Sequence, residues 1–389
     1  MRTEPDIGRF VAALAILLAI AASIYLIRGA YVAIGGYGGY DLQTRATEYH
    51  FFAAGVYPNS HLATNSLPGE ALPNSVYPPY AFPLFAPFFV AESEIAVRLT
   101  FVAFSLLALL AVGAFGYREF AFAGRQAQAL GAIASLAIAH NSSAIAIGQF
   151  SIICMGLVVL QLECLRRGKV MTAGLCWALA MIKPQIGIAF MLPFMMENRR
   201  RGLLVGLVLL GGLSLFACFY TGVSPLAVLN YWLWGESYDF IAGGNSRGSS
   251  TGSLLAVWGT SPRFALAWSV LAAALIVATV WWRAQLQSMS VLTLVAVCAI
   301  VGRVFIPHRA YDNIMLFPAL LAFLMLALAR PSVKSFAWAG LFGVSVWIPW
   351  TSLERAAWLD AALLAFWSAA AVVLIRENLS PKASAHNTT

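Results

Sequence analysis

Long apolar runs, most of them near or beyond the roughly 20 residues a helix needs to cross a bilayer, recur along this chain, and the breaks between them carry most of its charge. That pattern rules out most folds. Of 389 residues, 61% are hydrophobic and 10% charged, whereas a soluble domain carries about a quarter charged residues. An outer-membrane barrel would show alternation over segments of about ten residues instead of continuous apolar runs. A disordered chain would lack the runs altogether. The fold class is therefore an all-α polytopic membrane protein.

Hydropathy and breakers place spans at about 9–31, 95–117, 126–141, 149–165, 170–182, 184–196, 202–220, 263–282, 288–306, 311–329, 335–350 and 356–375. With the N-terminus inside, the inner breaks carry fifteen basic and six acidic residues, and the rest of the chain nine and ten. This is the asymmetry expected when basic loops stay in the cytoplasm. The net charge of +8 is thus an orientation signal, and no nucleic-acid partner is implied. The first run, Phe10 to Tyr31, is too long for the apolar region of a secretory signal and is expected to stay as a span. The five cysteines lie inside apolar segments without metal-ligand spacing and read as small core residues. Tyr77 to Ala91 is broken by Pro78, Pro79, Pro83 and Pro87 and reads as an interfacial or re-entrant helix. Were it to span, the downstream polarity would invert.

Residues 1–378 read as a single integral-membrane domain, and 379–389 as a disordered cytoplasmic tail. Two long polar stretches, about 34–80 and 221–262, fall outside. In the second, Leu226 to Trp234 suggests an interfacial helix, and the Gly/Ser-rich Ala242 to Ser253 a mobile flap.

Ionisable groups at membrane depth are costly and mark candidate sites. Lys183-Pro184-Gln185 lies between two basic, cytoplasmic breaks, so the chain must go out and return within short helices. Val170 to Ile182 gives only about 20 Å of helix, which leaves Lys183 below the outer surface, on the floor of a water-filled cavity where it can hold an anionic headgroup. The structural alternative is a proline break with a snorkelling lysine. Pro307-His308-Arg309-Ala310-Tyr311-Asp312 forms a cationic patch at a helix entrance, suited to phosphate, with Asp312 able to orient either cation. A turn anchored at the interface is the plainer reading. In the first outer loop, Asp41, Arg45 and Glu48 share one helical face, and by composition alone Asp41 is a good N-cap.

Taken in order, Asp41, Gly55-Val56-Tyr57-Pro58, Tyr77-Pro78-Pro79-Tyr80, Lys183-Pro184-Gln185 and His308-Arg309-Ala310-Tyr311-Asp312 resemble the GT-C superfamily of integral-membrane glycosyltransferases. The closer resemblance is to glycosyltransferase family 87, the bacterial polyprenol-phosphate-mannose-dependent α-mannosyltransferases. It implies a GT-C-like bundle of about twelve transmembrane helices in the bacterial inner membrane, with the active site facing the outside. Asp41 would be the general base toward an acceptor hydroxyl in an inverting transfer. Lys183, His308 and Arg309 would bind the phosphate of a lipid-linked hexose donor, most simply mannose. Arg45, Glu48, Tyr77, Gln185, Asn245, Arg247, Tyr311 and Asp312 are candidate substrate contacts. The nearest second acid to Asp41 is Glu48, so no carboxylate-held metal is expected, and no cofactor beyond the lipid-linked substrate. The partners would be the bilayer, the donor, and a glycan or glycolipid acceptor. A twelve-span transporter or lipid flippase, or an oligosaccharide polymerase or ligase, are the competing classes.

Overall fold

The apolar runs become helices because lipid offers the backbone no hydrogen-bond partner and each segment must satisfy its own amides. The computed structural model describes residues 5–91, 93–195, 198–234, 289–350 and 357–378, with short stretches between 250 and 278. Among them the only extended pairing is an isolated antiparallel bridge between Asn59 and Asn74. The helices run α1 (Pro5–Ile34), α2 (Tyr40–Ala53), α3 (Ala81–Phe89), α4 (Glu94–Glu119), α5 (Arg125–Leu136), α6 (Asn141–Ile147), α7 (Ser151–Arg166), α8 (Val170–Ala180) and α9 (Pro184–Gly187). A 3-10 segment, Ile188–Met195, continues α9. Then follow α10 (Arg200–Tyr220), α11 (Pro225–Trp234), α12 (Val291–Phe305), α13 (Phe317–Ala329), α14 (Val333–Trp347) and α15 (Ala357–Asn378), with a 3-10 turn, Ala310–Leu316, leading into α13.

Every expected span other than 263–282 coincides with a helix or helix pair; that segment lies largely outside the described residues, as do the 242–249 part of the flap and the 379–389 tail. By length and composition, five of the described helices can cross a membrane, and six if α5 and α6, bent by 42°, form one broken span. The α8, Pro184–Met195 and α12 segments are apolar but shorter. The protein is thus an all-α, multi-pass membrane protein. The helix at 81–89 is about 14 Å long, too short to span, which agrees with an interfacial or re-entrant role. Pro225–Trp234 forms a short helix where one was expected at Leu226 to Trp234.

Burial sorts the helices into layers. The Ala310–Ala329 window is 83% buried, whereas Ile7–Ile34 is 22% buried. The first is therefore the central element, and α1, with Ile16, Leu17, Ile20, Ile24 and Ile27 exposed, faces lipid. Where helices cross, small residues let backbones approach. A Cβ on Gly174 of α8 would stand 2.0 Å from the Gly202 carbonyl oxygen of α10. The site is positioned by α2, by the α6–α7 turn, by the turn at Lys183 and by the entrance to α13.

Candidate functional site

Helix α2 starts one residue before Asp41, with Gly39 as its N-cap residue in the left-handed region (φ 83°). Asp41 is therefore not the N-cap. Its side chain turns to Gln149, whose Nε2 donates to Asp41 Oδ2. Gln149 lies in the α6–α7 turn and is buried. Its Oε1 accepts a 2.7 Å hydrogen bond from Lys183 Nζ.

Lys183 is 1% exposed. An ammonium has three N–H donors, and here all three have partners: Gln149 Oε1, Ser151 Oγ at 2.8 Å and Asp312 Oδ1 at 2.5 Å. The cation also stands 4.7 Å from the centre of the Tyr311 ring. Ser151 donates to the same Asp312 oxygen. The second oxygen of Asp312 lies 3.0 Å from His308 Nδ1 and accepts from the Arg309 backbone N–H at 3.4 Å. A carboxylate only accepts, so His308 Nδ1 carries the proton. No hydrogen-bond partner for His308 Nε2 occurs among the described residues. Burial pushes the His308 pKa down, Asp312 opposing and the Arg303 and Lys183 charges reinforcing that shift.

The structure thus joins Asp41, Lys183, His308 and Asp312 in one hydrogen-bonded chain, with Tyr311 beneath the ammonium. Arg309 contributes backbone to the chain while its side chain is exposed. Lys183 is not an open cation on a cavity floor: it is enclosed and fully bonded, and Asp312 orients both it and His308.

On the α2 face that continues from Asp41, Arg45 Nη1 lies 2.5 Å from Glu48 Oε2, and the guanidinium stacks 4.4 Å from the centre of the Tyr77 ring. Glu48 is 1% exposed, and burial lifts its carboxyl pKa to about 7 against the opposing pull of Arg45 and a hydrogen bond with Ser75. Burial also raises the Tyr77 phenol, again against the Arg45 charge. Tyr77 and Gln185 line an apolar cavity of about 660 Å³, together with Pro184, Trp232, Ile306 and Pro307. The cavity therefore borders both the Lys183 turn and the His308 turn. Asn245 and Arg247 lie outside the described residues. Among the described residues no group of three or more His, Cys, Asp or Glu side chains is placed to hold a metal ion.

Gln149 and Ser151 escaped the sequence reading. Their signal is faint: two polar residues at the start of an apolar helix, just after Gly148. Their partners lie 108, 34 and 161 residues away.

The family model for glycosyltransferase family 87 matches residues 76–307, more than half of the chain. The chain belongs to glycosyltransferase family 87. No curated protein and no solved structure gives a significant match. The family 87 segment contains Tyr77, Gln149, Ser151 and Lys183, and it ends one residue before His308. Folding brings Asp41 from one flank and His308 and Asp312 from the other onto that segment. Family membership makes the protein a membrane glycosyltransferase, not a transporter, acting on a lipid-linked donor in general.

Proposed function

We propose that this glycosyltransferase moves a hexose, mannose by analogy with its family, from a polyprenyl-phosphate donor to a hydroxyl of a lipid or glycan acceptor. The reaction takes place at the outer face of a bacterial inner membrane and inverts the sugar's anomeric configuration. The observation that carries this reading is the single hydrogen-bonded chain from the Asp41 carboxylate to Lys183, Asp312 and His308, beside a large apolar cavity. Asp41 takes the acceptor proton as the acceptor oxygen bonds to the anomeric carbon. The bond from that carbon to the phosphate oxygen breaks, and the lipid phosphate leaves.

Negative charge grows on the leaving phosphate, so cations near it stabilise the transition state more than the ground state. Lys183, held rigidly, supplies fixed positive charge without having to reorganise. His308 offers Nε2, which donates to a phosphate oxygen once protonated, and Arg309 supplies an exposed guanidinium suited to two oxygens at once. The apolar cavity suits the donor's isoprenoid tail. Arg45, Glu48, Tyr77, Gln185 and Tyr311 are the sugar and headgroup contacts, and the reading calls on no metal or cofactor.

The test is transfer of labelled mannose from polyprenyl-phosphate-mannose to a membrane lipid and glycan extract. Asp41→Asn keeps the shape and removes the proton acceptor, so turnover should fall by about a thousandfold with the folded yield unchanged. Near-normal turnover in this variant would remove Asp41 from the role of base.

A further inference from the structure

We propose that Gln149 is the positioning residue of this site, a neutral amide clamp that aims the Asp41 carboxylate while holding the Lys183 ammonium apart from it. The assignment rests on the reading of Asp41 as the base and goes beyond it, because neither resemblance nor family membership gives Gln149 a role.

The chemistry of the position is specific. Lys183 presents only donors and Asp41 only acceptors. A residue between them must accept on one side and donate on the other, without charge. A primary amide does this in one orientation, with Oε1 toward Lys183 and Nε2 toward Asp41. The flipped amide would set oxygen against carboxylate and N–H against ammonium. The two charges are thereby kept from pairing directly, which would tie up the base and spend the cation on it. One Asp41 oxygen is committed to Gln149, and the other is the one an acceptor hydroxyl meets.

The backbone is built to deliver the amide to this point. The Gly39 N–H donates to the Ala146 carbonyl at 2.8 Å, and the Gln149 N–H donates to the Ala144 carbonyl at 2.8 Å. The start of α2 and the α6–α7 turn are thus tied together. Gly148 stands at φ +84°, where a Cβ would lie 2.3 Å from the Leu42 Cβ. Leu42 is the neighbour of Asp41, so the turn presses against the helix at the residue beside the base. Gln149 is 8% exposed, and the enclosure restricts both the amide and its carboxylate partner.

The experiment compares Gln149→Met, which keeps the bulk and removes both hydrogen bonds, with the isosteric Gln149→Glu. Both are assayed with labelled polyprenyl-phosphate-mannose and the membrane extract over pH 5 to 9. Misaiming a base by about 1 Å costs on the order of a hundredfold, so Gln149→Met should lose about that factor in kcat while its donor KM stays within about threefold. Gln149→Glu still accepts from Lys183 but sets a second carboxylate against Asp41. Like charge makes the Asp41 proton harder to lose, and the acid limb of kcat should move up by roughly one pH unit. Among the described residues, Glu48, Tyr77 and Tyr311 interact electrostatically with Asp41; both variants leave them in place, along with Arg45 and Lys183. A merely structural role would lower the yield of folded enzyme without moving that limb, so the isosteric variant carries the test should Gln149→Met fold poorly. A Gln149→Glu profile that superimposes on the wild type, or a Gln149→Met kcat within threefold of it, overturns the assignment while leaving the transferase reading intact. Absence of transfer by wild type overturns the reading and the assignment together.

Discussion

The two ends of the bundle hold the same charged residue types in opposite surroundings. At one end, Arg118 and Arg167 reach Glu163 at 3.0 and 2.6 Å, and Arg166 pairs with Glu119. Lys334 and Arg330 reach Glu377 at 3.3 and 3.6 Å. Each of those basic side chains is at least 41% exposed, so water screens it and the pair contributes little to stability. At the other end Lys183, Asp312 and His308 are all at most 3% exposed. A buried charge costs several kcal/mol to desolvate and is tolerated only when its bonding is complete. Only the buried set is expensive. The exposed pairs add little to stability, whereas the buried set must be complete to be tolerated at all.

The contrast is broken most forcefully at Lys183. Lys183→Met leaves Asp312 buried without its main cation, and removing one partner of such a pair costs about 3–5 kcal/mol. The melting temperature in detergent should fall by about 10 °C, and transfer by at least a hundredfold. Adding Asp312→Asn should restore much of the melting temperature and none of the transfer. Full recovery of transfer in the double variant would show that the pair is scaffold only.

Glu48 sharpens the comparison at intermediate size. Its folded pKa of about 7 lies above the ordinary carboxyl value, so the folded state holds a proton that the unfolded state releases. Stability from this group is therefore full below the ordinary value and is lost as pH rises through about 7. Glu48→Gln should remove that decline, narrowing the difference in melting temperature between pH 5 and pH 8 by a few °C, roughly. A difference as large as that of the wild type would mean that Glu48 is ionised throughout. The smallest effect belongs to the exposed pairs: Arg118→Ala should shift the melting temperature by no more than about 2 °C, with transfer unchanged. A large loss there would contradict the division between the two ends.

The helices were legible because lipid imposes a crude and strong rule, in which apolar length specifies a helix. The short helices flanking Lys183 could be read from that rule and the position of Pro184. The site was half legible. Asp41, Lys183 and His308 stand out because a charge in or beside an apolar run requires an explanation. Gln149 and Ser151 carry no charge, and polar residues at helix ends are common. Their meaning depends on contacts made across more than a hundred residues, which hydropathy does not encode. Arg309 shows the converse: its charge drew notice, yet its backbone N–H is what enters the hydrogen-bonded chain. Asp41 does not cap α2 for a local reason: Gly39, in the left-handed region, ends the preceding turn and takes the N-cap position.

The lysine and its counter-ion are also separated in time. Asp312 follows Lys183 by 129 residues, and at roughly 5–20 residues per second of synthesis the ammonium waits on the order of ten seconds for its carboxylate. Gln149 and Ser151 precede it by 34 and 32 residues and have already emerged. During biogenesis the neutral residues are the partners at hand, so the hairpin around Lys183 can settle against α7 before the charge that completes it has been made.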